Sequence, residues 1–120
     1  MFTGIVETVG IVKEIQKEGS NTNLIIEAPF AHELEVNKSV SHNGVCLTVT
    51  AVNGNTFSVT AVDETLKKSN LGLLEIGHEV NLERSMSTNY RFDGHIVQGH
   101  VDQTGTCNNI QEMDGSWLYD

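Results

Sequence analysis

Two cysteines and five histidines, Cys46 and His100 among them, are the residues of this sequence whose chemistry suits proton traffic or nucleophilic work near neutral pH. Cys46 lies in a strand-like run, where a thiol is either a polar catalytic contributor or a small buried apolar residue. His100 stands in Gly99-His100-Val101-Asp102, where it is either an acid or base or a structural residue beside a glycine. His95 and His100 do not make a metal pair: on one strand their odd separation places them on opposite faces, and no metal is expected. His42, just before Asn43-Gly44, reads as a residue supporting a turn. No glycine-rich phosphate loop is present, and Cys46 and Cys107 form no disulfide framework. Cys107 is expected in a core.

The element that must position Cys46 is a hairpin running from Ser39 to Val62. Two period-2 segments rich in β-branched residues flank Asn53-Gly54-Asn55, and Asn-Gly readily takes the positive φ of a tight connection. A three-residue loop sets Thr50 opposite Ser58, Thr48 opposite Thr60, Cys46 opposite Val62 and Val49 opposite Val59. A two-residue loop would mix apolar with polar, so like-with-like pairing favours the longer one. One face then carries small hydrogen-bonding groups and the other is apolar.

Before the hairpin, Gly4 to Ile15 reads as a long strand, with Gly10 permitting a bulge. Glu18-Gly19-Ser20-Asn21 is a turn, and Asn23 to Ala28 is a strand ended by Pro29. Phe30 to Leu34 suits one helical turn. After the hairpin, Asp63 to Lys68 predicts a short helix with Asp63 as its cap, closed by Asn70-Leu71-Gly72. Glu79 to Arg84 alternates as a strand. Short strands at regular spacing imply an all-β chain, a small barrel or sandwich.

The 120 residues suffice for one core without metals or disulfides. Sixteen acidic residues against seven basic ones give a formal charge of −9, with no basic stripe, which argues against nucleic acid and against an anionic membrane. No signal segment or membrane-length apolar run is seen, so a reduced, cytoplasmic protein is expected.

The tail repeats the head. Gly4-Ile5-Val6-Glu7-Thr8-Val9-Gly10, followed by Ile15, aligns with Gly99-His100-Val101-Asp102-Gln103-Thr104-Gly105, followed by Ile110, at a constant offset of 95. Five of twelve positions match in identity or acidity. Residues 1–95 are therefore expected to form one barrel, and residues 96–120 the beginning of a second, truncated one. The chain then reads as a piece of a longer protein, ending on an apolar edge at Trp117-Leu118-Tyr119-Asp120.

Met1-Phe2-Thr3-Gly4-Ile5-Val6, Ser41-His42-Asn43-Gly44-Val45-Cys46-Leu47-Thr48-Val49, Glu64-Thr65-Leu66 with Asn70-Leu71-Gly72, Val80-Asn81-Leu82-Glu83-Arg84 and Gly94-His95-Ile96-Val97-Gln98-Gly99-His100-Val101-Asp102 together resemble the riboflavin synthase family. The resemblance implies two tandem lumazine-binding barrels, each a six-stranded antiparallel Greek key with one or two short helices. It implies dismutation of two 6,7-dimethyl-8-ribityllumazine molecules by four-carbon transfer, giving riboflavin and a ribitylamino-pyrimidinedione, without a cofactor. It also implies a trimer for the full-length enzyme, while the exposed edge of a fragment suggests dimers. Substrate-contacting positions implied are Gly4, Ile5, Val6, Cys46, Leu47, Thr48, Thr60, Ala61, Val62, Asp63, Glu64, Thr65, Gly99, His100 and Val101. Ser39, Cys46 and His100 are implied near the reacting carbons, the role of Ser39 resting on the resemblance alone. The competing expectation is a carrier of the same fold that holds a lumazine or flavin without chemistry. Cys46 and His100 favour the enzyme.

Overall fold

The computed structural model describes residues 2–86 and 101–120. Period-2 alternation becomes six strands: β1 (Thr8–Glu18), β2 (Asn21–Glu27), β3 (Ser39–His42), β4 (Val45–Asn53), β5 (Thr56–Ala61) and β6 (Glu79–Arg84). All pairings are antiparallel, and the strands close into a barrel in the order β1-β2-β5-β4-β3-β6, with β6 returning to β1. β3, β4 and β5 follow one another, and β6 comes back beside β3, which is a Greek-key connection. A short helix, α1 (Asp63–Lys68), and single 3₁₀ turns at Ala31–Glu33 and Leu71–Leu73 occupy the crossovers. Inward positions such as Val12, Leu24, Ile26, Val40, Val49, Phe57, Val59 and Leu82 are buried, each contributing roughly 1.5–3 kcal/mol of transfer free energy.

Several local expectations are corrected. The hairpin turns through two residues, Gly54-Asn55, with Asn53 opposite Thr56, and not through three. A bulge at Thr50 then shifts the register, so that Val49 still faces Val59 and the apolar face stays inside. The bulged Thr50 Oγ1 donates to the Ser58 carbonyl at 3.2 Å. Beyond that pair β4 leaves β5 for β3, so Thr48 faces Ser39 and Cys46 faces Ser41, in place of Thr60 and Val62. In β1 the bulge falls at Lys13, not at Gly10, and the strand begins at Thr8. Gly10 is needed for close packing: a Cβ there would meet Leu82 Cδ1 at 2.6 Å and Ile26 Cγ2 at 2.7 Å. Val62, not Asp63, is the helix N-cap, and the Asp63 carboxylate instead pairs with Lys67 at 2.8 Å. Cys107 is exposed, not in a core.

The barrel is built from two similar halves. At an offset of 40, the 3₁₀ turn Ala31–Glu33 leading to β3 matches the turn Leu71–Leu73 leading to β6. The backbone bonds repeat: Leu34 N–H to Ala31 O and Lys38 N–H to Glu35 O, then Leu74 N–H to Leu71 O and His78 N–H to Glu75 O. Asn37 and Gly77, both at positive φ, donate to the last residue before a bulge, Val49 and Val12 respectively, at 2.9 and 2.8 Å. The local two-fold passes the pairs His42/Leu82 and Ile25/Ser58, where each residue faces its own counterpart.

Apart from the barrel, β7 (Ile110–Glu112) pairs with β8 (Trp117–Tyr119). At the offset of 95, the β1–β2 pairs Ile15/Leu24, Gln16/Asn23 and Lys17/Thr22 coincide with Ile110/Tyr119, Gln111/Leu118 and Glu112/Trp117. Leu24 is buried, whereas both strands of the later hairpin are exposed. No helix among the described residues is long and apolar enough to cross a membrane.

Candidate ligand site

Strand alternation sends Val45, Leu47 and Val49 into the core and leaves Cys46 and Thr48 on the outer surface of β4. The chain crosses from β5 into α1 beside them. The face of α1 carrying Glu64, Thr65, Lys68 and Ser69 lines a cleft of about 250 Å³ with Val45, Cys46 and Val101. Gly44, at φ +85°, lets the chain turn there, and Val101 Cγ2 lies 3.4 Å from where its Cβ would be. The residue brought in from the second copy of the repeated motif therefore closes one wall.

Hydrogen-bonding groups ring this cleft. Lys68 Nζ donates to Glu64 Oε1 at 2.7 Å across one helical turn, and Ser69 Oγ donates to the Thr65 carbonyl at 2.6 Å. The hydrogen bond and charge of Lys68 hold the Glu64 carboxyl below its ordinary range, and those of Glu64, with a smaller contribution from Asp102, raise the Lys68 ammonium. A polyol can exchange hydrogen bonds with the Glu64 carboxylate and the Thr65 hydroxyl, while Val45 and Val101 give the cleft an apolar side.

The other expected positions distribute around the barrel. Thr60 Oγ1 donates to Asn23 Oδ1 at 2.7 Å, Leu47 and Ala61 are buried, Val62 is exposed, and Thr48 is exposed beside Ser39. Ile5, Val6 and Ser39 line a different, wider cavity of about 1040 Å³ together with Glu83 and Arg84. Ser39 and Cys46 thus do not share a cleft. Gly99 and His100, and also His95, lie outside the described residues.

The head of the chain is fixed over that wider cavity by two carboxylates. Glu83 is buried and accepts hydrogen bonds from the Thr3 N–H and hydroxyl, both 2.7 Å, and from the Gly4 N–H at 3.0 Å. Glu7 accepts from the Arg84 N–H, Nε and Nη2, and Arg84 also lies 4.7 Å over the Phe30 ring. Burial raises the Glu7 pKa, but the hydrogen bonds and charge of Arg84 outweigh it and leave the carboxyl below its usual range. Glu83 escapes a pattern reading because it follows buried Leu82 and is itself buried, out of phase with the alternation. Lys68 carries one usable signal, its i,i+4 spacing from Glu64.

His42 is not a turn support: it is fully buried at the end of β3 with its ring 5.5 Å from Phe57. Nδ1–H donates to the Val40 carbonyl at 3.0 Å, Nε2 has no partner among the described residues, and burial depresses its pKa to about 4. The turn beside it is held by Asn43, whose Oδ1 accepts from the Asn81 N–H at 2.8 Å.

A closed Greek-key barrel with a polyol-compatible cleft on its outer wall defines a small-molecule-binding barrel module. Residues 3–85 match the lumazine binding domain, and the chain belongs to that family. It is 42% identical to riboflavin synthase of Actinobacillus pleuropneumoniae over 99% of its length and 56% of the relative. It is 43% identical to riboflavin synthase of Bacillus amyloliquefaciens over its whole length and 56% of the relative. The chain thus spans about half the length of these curated relatives. The crystal structure of LumP complexed with 6,7-dimethyl-8-(1'-D-ribityl)lumazine superposes with a TM-score of 0.82 at 26% identity, covering 99% of this chain and 67% of that one. LumP complexed with flavin mononucleotide gives 0.80 at 28% identity, covering 95% and 65%.

Proposed function

We propose that this chain is the first lumazine-binding barrel, residues 1–95, and the opening of the second, residues 96–120, of a cytoplasmic riboflavin synthase. The observation that carries this reading is the cleft joining Cys46, Glu64 and Thr65 to Val101, four of the positions implied by the family, from three separate stretches of chain. The coincident register of β1–β2 and β7–β8 supports the tandem-barrel half of the reading. The substrate is 6,7-dimethyl-8-ribityllumazine, and two molecules exchange a four-carbon unit to give riboflavin and the ribitylamino-pyrimidinedione. In this cleft Glu64 and Thr65 hold ribityl hydroxyls, β4 backbone groups read the pyrimidine edge, and Cys46 stands beside the ring. His100 supplies an acid or base. Gly4-Ile5-Val6 border the same substrate of the first barrel, Ser39 stands near the reacting carbons, and the second substrate comes from the second barrel of a neighbouring subunit of a trimer, with proximity of two stacked rings supplying much of the acceleration.

An optical titration with 6,7-dimethyl-8-ribityllumazine tests this. A bound-ligand spectral shift is expected, followed by slow growth of riboflavin absorbance; absence of any shift overturns the reading. A ligand-carrying role without turnover is the second reading, favoured by the likeness to ligand-bound LumP. A shift with no riboflavin from a protein containing both barrels would select it.

A further inference from the structure

The α1 wall of the cleft offers one cation, Lys68, and Glu64 occupies it at 2.7 Å. Both side chains line the cleft, on the face where a ribityl chain would end if the lumazine-site reading is right, on which this inference rests. Asp102, next to the wall residue Val101, adds a second negative charge acting on Lys68. We infer that the Glu64–Lys68 pair makes this cleft select free ribityl ligands over their phosphate monoesters, with Glu64 as the residue that sets the preference.

The argument is one of local charge. An unpaired lysine in a cleft lined by hydroxyls is a ready phosphate partner, as lysine is in other phosphate sites. Here its charge is already matched, and a phosphate carrying about two negative charges at pH 7.5 would meet Glu64 as a like charge. The protein as a whole is also acidic, at −9, and supplies no compensating positive field. A ribityl hydroxyl has no such conflict, because it can donate to Glu64 without displacing Lys68. Removing the Glu64 charge changes the energy of a dianion bound in the same cleft, in a water-like dielectric, by up to about tenfold in affinity.

The test compares riboflavin with flavin mononucleotide by quenching of flavin fluorescence at pH 7.5 and low salt. The chain itself is expected to bind riboflavin more tightly. In Glu64→Gln the ratio of the two dissociation constants should move about tenfold toward flavin mononucleotide, even where the lost carboxylate weakens both ligands. In Lys68→Met, which leaves Glu64 unmatched, the ratio should move several-fold the other way, and this variant decides the matter if Glu64→Gln binds neither flavin. Ratios unchanged in the variants that bind overturn the inference. So does equal or tighter binding of the phosphate ester by the unaltered chain. Failure of the unaltered chain to bind either flavin or the lumazine would instead overturn the site reading on which it rests.

Discussion

The two halves of the barrel share a plan and differ in what they attach to it. Each has a bulged strand, a hairpin, a 3₁₀ turn and a returning strand, joined by the same backbone bonds. The second half adds α1 between β5 and its 3₁₀ turn, whereas the first passes from β2 to its turn through Ala28-Pro29-Phe30 alone. That insertion makes the difference: α1 supplies a wall opposite Cys46, and the cleft forms there. The counterpart of Cys46 at the bulge offset of 37 is Val9, 43% exposed, on a strand with no such helix beside it. The repeated plan supplies the barrel, and the unrepeated helix supplies one wall of the cleft.

The core breaks the symmetry most sharply at the axis, where buried His42 faces its counterpart Leu82. The largest expected effect follows from this pair. His42 is neutral in the fold, with a pKa of about 4 against an ordinary 6.5, so the unfolded chain binds a proton there that the folded one does not between those values. Its contribution to stability is complete above pH 6.5 and declines as pH falls toward 4, by about 3 kcal/mol in all. Urea unfolding of the native chain and His42→Leu, followed from pH 7 to pH 4, should therefore diverge on acidification, the variant losing less. Parallel pH profiles would show that the histidine is not held neutral.

Gly10 is the next break in the pattern, because its counterpart is the buried Leu47. Leu82 and Ile26 fill the space in front of Gly10, so Gly10→Ala is expected to cost about 2 kcal/mol in urea unfolding through overpacking. A smaller loss, about 1.5 kcal/mol, is expected for Glu83→Ala, which strands the Thr3 and Gly4 donors. Hydrogen exchange should localise that loss to the Gly4 amide; unaltered protection of Gly4 would mean that Glu83 does not hold the head segment.

Most of the barrel was legible because its strands obey one period. Glu79–Arg84 appears at its expected bounds, and the apolar faces of β4 and β5 point inward as their alternation requires. The turn departs from its expected length because pairing preference and turn geometry conflict, and the chain resolves the conflict with a bulge at Thr50 that neither rule contains. Gly10 suggests a bulge because the sequence shows a missing side chain without showing Leu82 and Ile26 against it. The resemblance grouped Cys46, Glu64, Thr65 and Val101, and the fold brings these four onto one cleft. Separating Cys46 from Ser39 required the β3–β4 register, which sets Ser39 opposite Thr48 and Cys46 opposite Ser41, two residues apart along the strands and on different cavities.

The sharpest test of the comparison carries the smallest effect on the fold. Cys46→Val gives the second half the residue that the first half has at Val9. Position 46 is half-buried on the outer face, and a β-branched residue suits a strand, so unfolding free energy should change by less than about 0.5 kcal/mol. The branched side chain nevertheless crowds a cleft of only about 250 Å³ shared with Glu64, Thr65 and Val101. Lumazine affinity measured by the optical shift should fall about tenfold while the urea midpoint stays in place. If affinity is retained, the ligand sits elsewhere on the barrel and α1 is not what distinguishes the halves. If affinity and stability fall together, Cys46 belongs to the shared plan and not to the site added to it.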